Sequence, residues 1–199
     1  MTPRIVLASQ SPRRAELLRM LGFTFDVVPA DIDETYAGDE TGPEHAERLA
    51  REKTAFIAKS HRDAVVIGSD TVVVVDNDVL GKPKDEEQAV EMLMRLQGRT
   101  HQVATGIALS APGNKLISDI ETVEVKFKPF DAIKAEQYVK TREPMDKAGA
   151  YGIQGYGASI VEWVHGDYFA VMGLPIQRMI MMFETLGYEY IFGPVFKVQ

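Results

Sequence analysis

Ala64-Val65-Val66-Ile67-Gly68-Ser69-Asp70-Thr71-Val72-Val73-Val74-Val75 is the stretch that decides the fold of this chain. Valine and isoleucine at this density favour a buried, pleated strand over a helix. Strand alternation puts Asp70 on one face with Val66, Gly68, Val72 and Val74. Burying an unpaired carboxylate is costly, so Asp70 needs a cation, a metal or a raised pKa. One reading is a structural ion pair with a lysine. The other is a functional carboxylate on a glycine-flanked strand.

Directly beyond it, Asp76-Asn77-Asp78 predicts a hairpin turn. Gly81-Lys82-Pro83-Lys84 follows, where a return strand would carry Lys82 back toward Asp70 and Pro83 would hold Lys82 extended. Upstream, residues 4–8 read as a short buried strand. Ser9-Gln10-Ser11-Pro12 then leads into a helix over 12–21, stopped by Gly22. Residues 23–29 alternate like a strand, 31–41 are polar, and 43–60 form a second helix. Downstream, Asp85 caps a helix to about residue 97, with Gln88 placed as in a capping box and Gly98 as the stop.

Strands over 101–110 and 115–128 join around Pro112-Gly113-Asn114, and 132–141 is a short helix. After a glycine-dense segment at 149–157, strands at 159–164 and 168–172 turn at Gly166-Asp167. A last helix over 175–186 ends at Gly187. Strands and helices mix without parallel regularity or a linker. The expectation is one α/β (mixed α+β) domain over residues 1–199.

Composition narrows the function. With 45% apolar and 26% charged residues, the chain can bury a sizeable core. No apolar run approaches the ~20 residues of a membrane helix, and the start, Met1-Thr2-Pro3-Arg4, lacks a secretory pattern. No membrane partner is expected. Zero cysteines exclude disulfides, thiol catalysis and cysteine-bound metals, and fit a cytoplasmic setting. A net charge of −7 argues against nucleic acid, yet a small anion can bind where a few cations converge.

Two cation placements break local rules. Arg13 and Arg14 stand in the first turn of a helix, whose N-terminus already carries partial positive charge. Either they point into solvent, or they and the free amides converge on an anion. The chain has no Gly-x-x-x-x-Gly-Lys loop. Lys53 falls inside the apolar stripe of Ala46, Leu49, Ala50 and Ile57. It either snorkels out or aims an ammonium into a cleft. Asp33 and Glu34 gain interest only if Asp70 needs a second carboxylate for a hard divalent ion. His45, His61, His101 and His165 show no ligand spacing and read as surface residues. Trp163, Met179, Met181 and Met182 read as core.

Together, Leu7-Ala8-Ser9-x-Ser11-Pro12-Arg13-Arg14, Asp33-Glu34, Arg51-Glu52-Lys53, Gly68-Ser69-Asp70-Thr71, Gly81-Lys82-Pro83 and Asp146-Lys147-Ala148-Gly149-Ala150-Tyr151-Gly152-Ile153-Gln154-Gly155 resemble the Maf family of nucleotide pyrophosphatases, in the family's order. The resemblance implies a Maf/ITPase-like fold, an elongated mixed sheet with flanking helices and two lobes around a cleft, commonly as a homodimer. It implies hydrolysis of a nucleoside triphosphate to monophosphate and pyrophosphate with a divalent cation, Mg or Mn. Asp70 matches the proposed general base, and Ser9, Arg14, Glu34, Lys53 and Lys82 match other active-site positions. Arg13, Thr71 and Gln154 match specificity positions and read as in the dTTP- and UTP-acting branch, with modified pyrimidine nucleotides within reach. Glu34 and Asp70 are the expected metal ligands. Competing expectations are a regulator of septum formation that binds nucleotides with little turnover, and a phosphatase acting at the γ position.

Overall fold

A computed structural model of the chain describes residues 2–36, 38–113 and 115–198. Met1 and Asn114, the last residue of the expected 112–114 turn, lie outside them. The helices are α1 (Pro12–Met20), α2 (Gly42–Ala58), α3 (Glu86–Leu96), α4 (Ala132–Lys140), α5 (Tyr168–Met172) and α6 (Ile176–Thr185). The main sheet runs in the order β2 (Asp26–Val27), β1 (Arg4–Leu7), β3 (Ala64–Val75), β5 (Thr100–Ala111), β6 (Lys115–Phe127), β7 (Val161–His165), with β4 (Asp78–Leu80) also paired to β3. β1 is parallel to β2 and β3, and the other pairings are antiparallel. The α/β class and the 64–75 strand are as expected. A separate hairpin, β8 (Tyr188–Tyr190) with β9 (Val195–Lys197), was not expected. None of the described helices is long and apolar enough to cross a membrane.

The pairing of β3 makes an opening. On one edge β1 covers Ala64–Ile67 and β4 covers Val73–Val75. Residues 68–72 between them have no strand partner on that side among the described residues. On the other edge β5 pairs continuously, with Asp70 opposite Gly106. Asp70 therefore sits in the gap on that edge of β3, between the stretch paired to β1 and the stretch paired to β4. Asp76 and Asn77 make the β3–β4 turn with φ of 54° and 65°, the left-handed pair that a two-residue hairpin needs.

Two apolar cores flank the opening. One gathers Leu7, Leu18, Ile67 and Leu109 with Phe183 of α6; the other gathers Val75, Leu93, Leu96, Phe127 and Val139 under α3 and α4. Both draw on β3 and β5, so the same two central strands supply residues to each core.

Helix α2 crosses the Asp70 face of the sheet. Its start is a capping box: the Glu44 N–H donates to Thr41 Oγ1, and the Thr41 N–H donates to the Glu44 carboxylate. Small residues on both sides let it approach closely. A Cβ on Gly106 would lie 2.3 Å from the Ala46 carbonyl oxygen, and one on Gly68 2.2 Å from Thr54 Oγ1. This seating is what brings Lys53 of α2 to Asp70 of β3. Gly106→Ala is expected to push α2 outward and cost about 1–3 kcal/mol. Thermal unfolding of the variant measures it, and an unchanged Tm contradicts the seating argument.

Several local expectations are corrected. Residues 168–172 are helix α5, because the Asp167 carboxylate caps Phe169 N–H and Gly173 closes it at φ 107°; a short apolar run does not separate strand from helix. Only Asp26–Val27 of the 23–29 segment pairs as strand. The α3 start is half a capping box: Asp85 accepts from Gln88 N–H, but the Gln88 side chain accepts from Lys84 N–H. Trp163, on the edge strand β7, and Met181, on the outer side of α6, are exposed. His45 and His101 are buried rather than on the surface.

His101 packs edge-on to Phe127 and Tyr151, and its Nε2 lies 2.8 Å from Tyr151 Oη. Nδ1 has no hydrogen-bond partner among the described residues. Burial lowers its pKa to about 4 from 6.5. Between those values the unfolded chain binds the extra proton, so stability rises with pH through that window and is fully present above 6.5. The loss on acidification to pH 4 should be about 3 kcal/mol from this residue. Chemical denaturation at several pH values in the native chain and in His101→Leu tests it; equal slopes in the two contradict it.

Candidate active site

The opening beside Asp70 widens into a cleft of about 790 Å³. Its walls are the turn from β1 into α1, the 30–34 segment, α2, the middle of β3, the loop after β4 and the 143–155 segment. Ser9, Arg13, Arg14, Glu34, Lys53, Asp70, Thr71, Lys82 and Gln154 all line it. Every site residue expected from the sequence is thus brought to one cavity.

Lys53 is the hub of one wall. Its Nζ lies 2.7 Å from Asp70 Oδ1 and 2.7 Å from Glu34 Oε1. The ammonium does not snorkel to solvent, because two carboxylates hold it inside the stripe. Glu34 arrives on a loop fastened to α2, where Arg48 Nη2 donates to the Thr35 carbonyl. Asp33, by contrast, accepts from Thr35 N–H and Oγ1 and shapes that loop. Partial burial pushes the Glu34 carboxyl up. The hydrogen bond and charge of Lys53, with Lys82 and Arg14 farther off, outweigh it and hold the pKa below the usual range. Lys82 follows β4 into the same cleft, as the return-strand reading expected.

The start of α1 forms another wall. Ser11 occupies the N-cap position but its side chain makes no cap bond, unlike Thr41, Asp85, Asp131 and Asp167 at other helix starts. First-turn amides are left for an anion. Arg14 is buried: Nη1 donates to Ser9 Oγ at 3.0 Å, Nη2 to Thr71 Oγ1 at 3.1 Å and Nε to the Gly173 carbonyl at 2.8 Å. Burial lowers its pKa and the charge of Asp70 opposes that; a guanidinium stays protonated throughout. The solvent-pointing reading fails for Arg14, whereas Arg13 stays partly exposed. Thr71 also meets Thr105 Oγ1 at 3.0 Å, so its hydroxyl braces the guanidinium.

Three further cleft residues went unassigned in the sequence: Glu143, Asp146 and Lys147. Asp146 Oδ2 accepts from Arg13 Nη1 at 2.9 Å, joining α1 to the 143–155 wall, and its Oδ1 pairs with Lys147 Nζ at 2.6 Å. Charged side chains at the edge of a glycine-dense stretch were the available signal.

The donor set can be tested against a divalent ion. Glu34 and Asp70 converge on one cation, both are hard oxygen donors, and no cysteine exists. Among the described residues no group of three or more His, Cys, Asp or Glu could hold a metal. Two carboxylates suit an ion such as Mg²⁺, which keeps waters and takes phosphate oxygens for its other ligands.

A model of the family described as Maf-like protein matches residues 4–186 of the chain. The dTTP/UTP pyrophosphatase of Clostridioides difficile (strain 630) is 52% identical over 88% of this chain and 91% of its own. The dTTP/UTP pyrophosphatase of Symbiobacterium thermophilum is 46% identical over 96% and 97%. Among solved structures, the Staphylococcus aureus Ham1 protein is 20% identical over 79% of each chain, with a TM-score of 0.48.

Proposed function

The chain belongs to the Maf-like protein family, and on that premise we propose that it hydrolyses dTTP and UTP to the nucleoside monophosphate and pyrophosphate. The observation that carries the reading is one cleft holding a Glu34–Lys53–Asp70 charge cluster and the uncapped, arginine-flanked start of α1. The names of the relatives support the substrate.

The chemistry follows from the residue types. Asp70 accepts the proton of the attacking water; its burial and the 2.7 Å contact with Lys53 Nζ support this reading, because they hold the carboxylate in place. The α1 amides, Ser9, Arg14, Lys53 and Lys82 hold the triphosphate and offset the charge that spreads over the phosphoryl oxygens. Glu34 and Asp70 would hold a divalent cation, Mg or Mn, which when bound neutralises phosphate charge and steadies the leaving pyrophosphate. Arg13 and Gln154 face the base, with Thr71 behind Arg14. The Gln154 amide offers a donor and an acceptor together, as a pyrimidine edge requires.

Within the same proposal the enzyme is a cytoplasmic homodimer acting on a small nucleotide rather than on nucleic acid. The lack of cysteine and the net charge of −7 support the compartment and the substrate size. Chromatography of the products from dTTP and UTP tests the reading. Monophosphate plus pyrophosphate is expected; diphosphate plus orthophosphate, or binding without turnover, overturns it.

A further inference from the structure

Glu143 takes no part in the chemistry above, yet it is the most heavily bonded carboxylate of the 143–157 segment. Its Oε1 accepts from Tyr138 Oη at 2.7 Å and from Gly157 N–H at 3.0 Å, and its Oε2 accepts from Tyr156 N–H at 2.9 Å. The Tyr138 hydroxyl in turn accepts from Gly152 N–H at 3.0 Å. Gly155 turns at φ 66° against the same carboxylate, where a Cβ would lie 2.3 Å from Oε2.

These bonds fasten the chain on both sides of Gln154. Tyr138 holds residue 152, and Glu143 holds residues 156 and 157. Gln154 itself lies in the cleft with an exposed side chain, and its amide has no hydrogen-bond partner among the described residues. Nothing but its backbone placement aims it. A carboxylate suits the clamp because three donors converge on it, and it is the one side chain that only accepts. The bonds it receives, with the charge of Lys147, overcome the effect of burial and keep the carboxyl ionised below its usual range.

We propose that Glu143, acting with Tyr138, is a positioning residue that sets nucleobase selectivity by fixing Gln154. The proposal rests on the reading of the cleft as a pyrimidine triphosphate site, and it adds a residue that touches neither phosphate nor base. UTP and CTP carry the same triphosphate and differ in the donor and acceptor pattern of the base. A loosened Gln154 should therefore cost discrimination while the phosphoryl chemistry stays intact. Glu143→Gln turns an amide NH₂ toward at least one of the converging donors. Tyr138→Phe keeps the ring and deletes both hydroxyl bonds, and it carries the test if Glu143→Gln does not fold.

The experiment measures pyrophosphate release from UTP and CTP by the native chain and both variants. The native chain should prefer UTP, and each variant should lose about tenfold of that kcat/KM ratio. The loss should appear as a higher KM for UTP with kcat within about twofold of native. An unchanged ratio in both variants, or equal losses of kcat for the two nucleotides, overturns the positioning role. A native chain that releases pyrophosphate from neither nucleotide fails the site reading itself, and this inference with it.

Discussion

Asp70→Asn should suppress pyrophosphate release by about 10²–10⁴-fold, the range that removal of a positioned general base produces. The substitution changes no volume and retains an oxygen that can accept from Lys53. Lys53 also keeps Glu34 as its ionic partner at 2.7 Å, so no buried charge is stranded. Thermal unfolding should stay close to native while turnover collapses. Near-native turnover would remove Asp70 from the reaction and return it to the structural ion-pair reading.

Lys53→Met should be worse for the fold and nearly as damaging to activity. It leaves Asp70, 8% exposed, and Glu34 facing one another with the cation between them gone. Breaking a buried pair from one side costs about 3–5 kcal/mol. Glu34 can swing toward solvent, since about half its side chain is exposed, so Asp70 sets most of the penalty. Phosphate binding loses a charge as well, and kcat/KM should fall by about 10²-fold or more. The double variant Lys53→Met/Asp70→Asn should recover part of the lost stability, because the stranded charge is then gone. Denaturant titration of both reads this directly. Equal stabilities would mean that Asp70 does not feel Lys53.

The contrast between these residues shows what a sequence can carry. Asp70 was legible because a carboxylate in a valine strand violates burial rules, and Lys53 because it violates a helix stripe. Their pairing was open until the close seating of α2 on Gly68 and Gly106 put them 2.7 Å apart. Arg13 and Arg14 stand out for the same reason, yet nothing local tells that one turns to Asp146 and the other to Ser9 and Thr71. Glu143 breaks no rule, since a carboxylate beside a proline, between a short helix and a glycine-dense stretch, reads as loop. Its value lies in three donors supplied by residues five to fourteen positions away. Residues 168–172 are not legible as a helix, because a five-residue apolar run has no period to read and only the Asp167 cap and Gly173 decide it.

Hydrolysis of UTP in ¹⁸O-labelled water, with the products resolved by ³¹P NMR, tests the central claim most directly. Asp70-activated attack at the α phosphorus places the label in UMP and none in pyrophosphate. Label in pyrophosphate, or UDP appearing beside labelled orthophosphate, would contradict it.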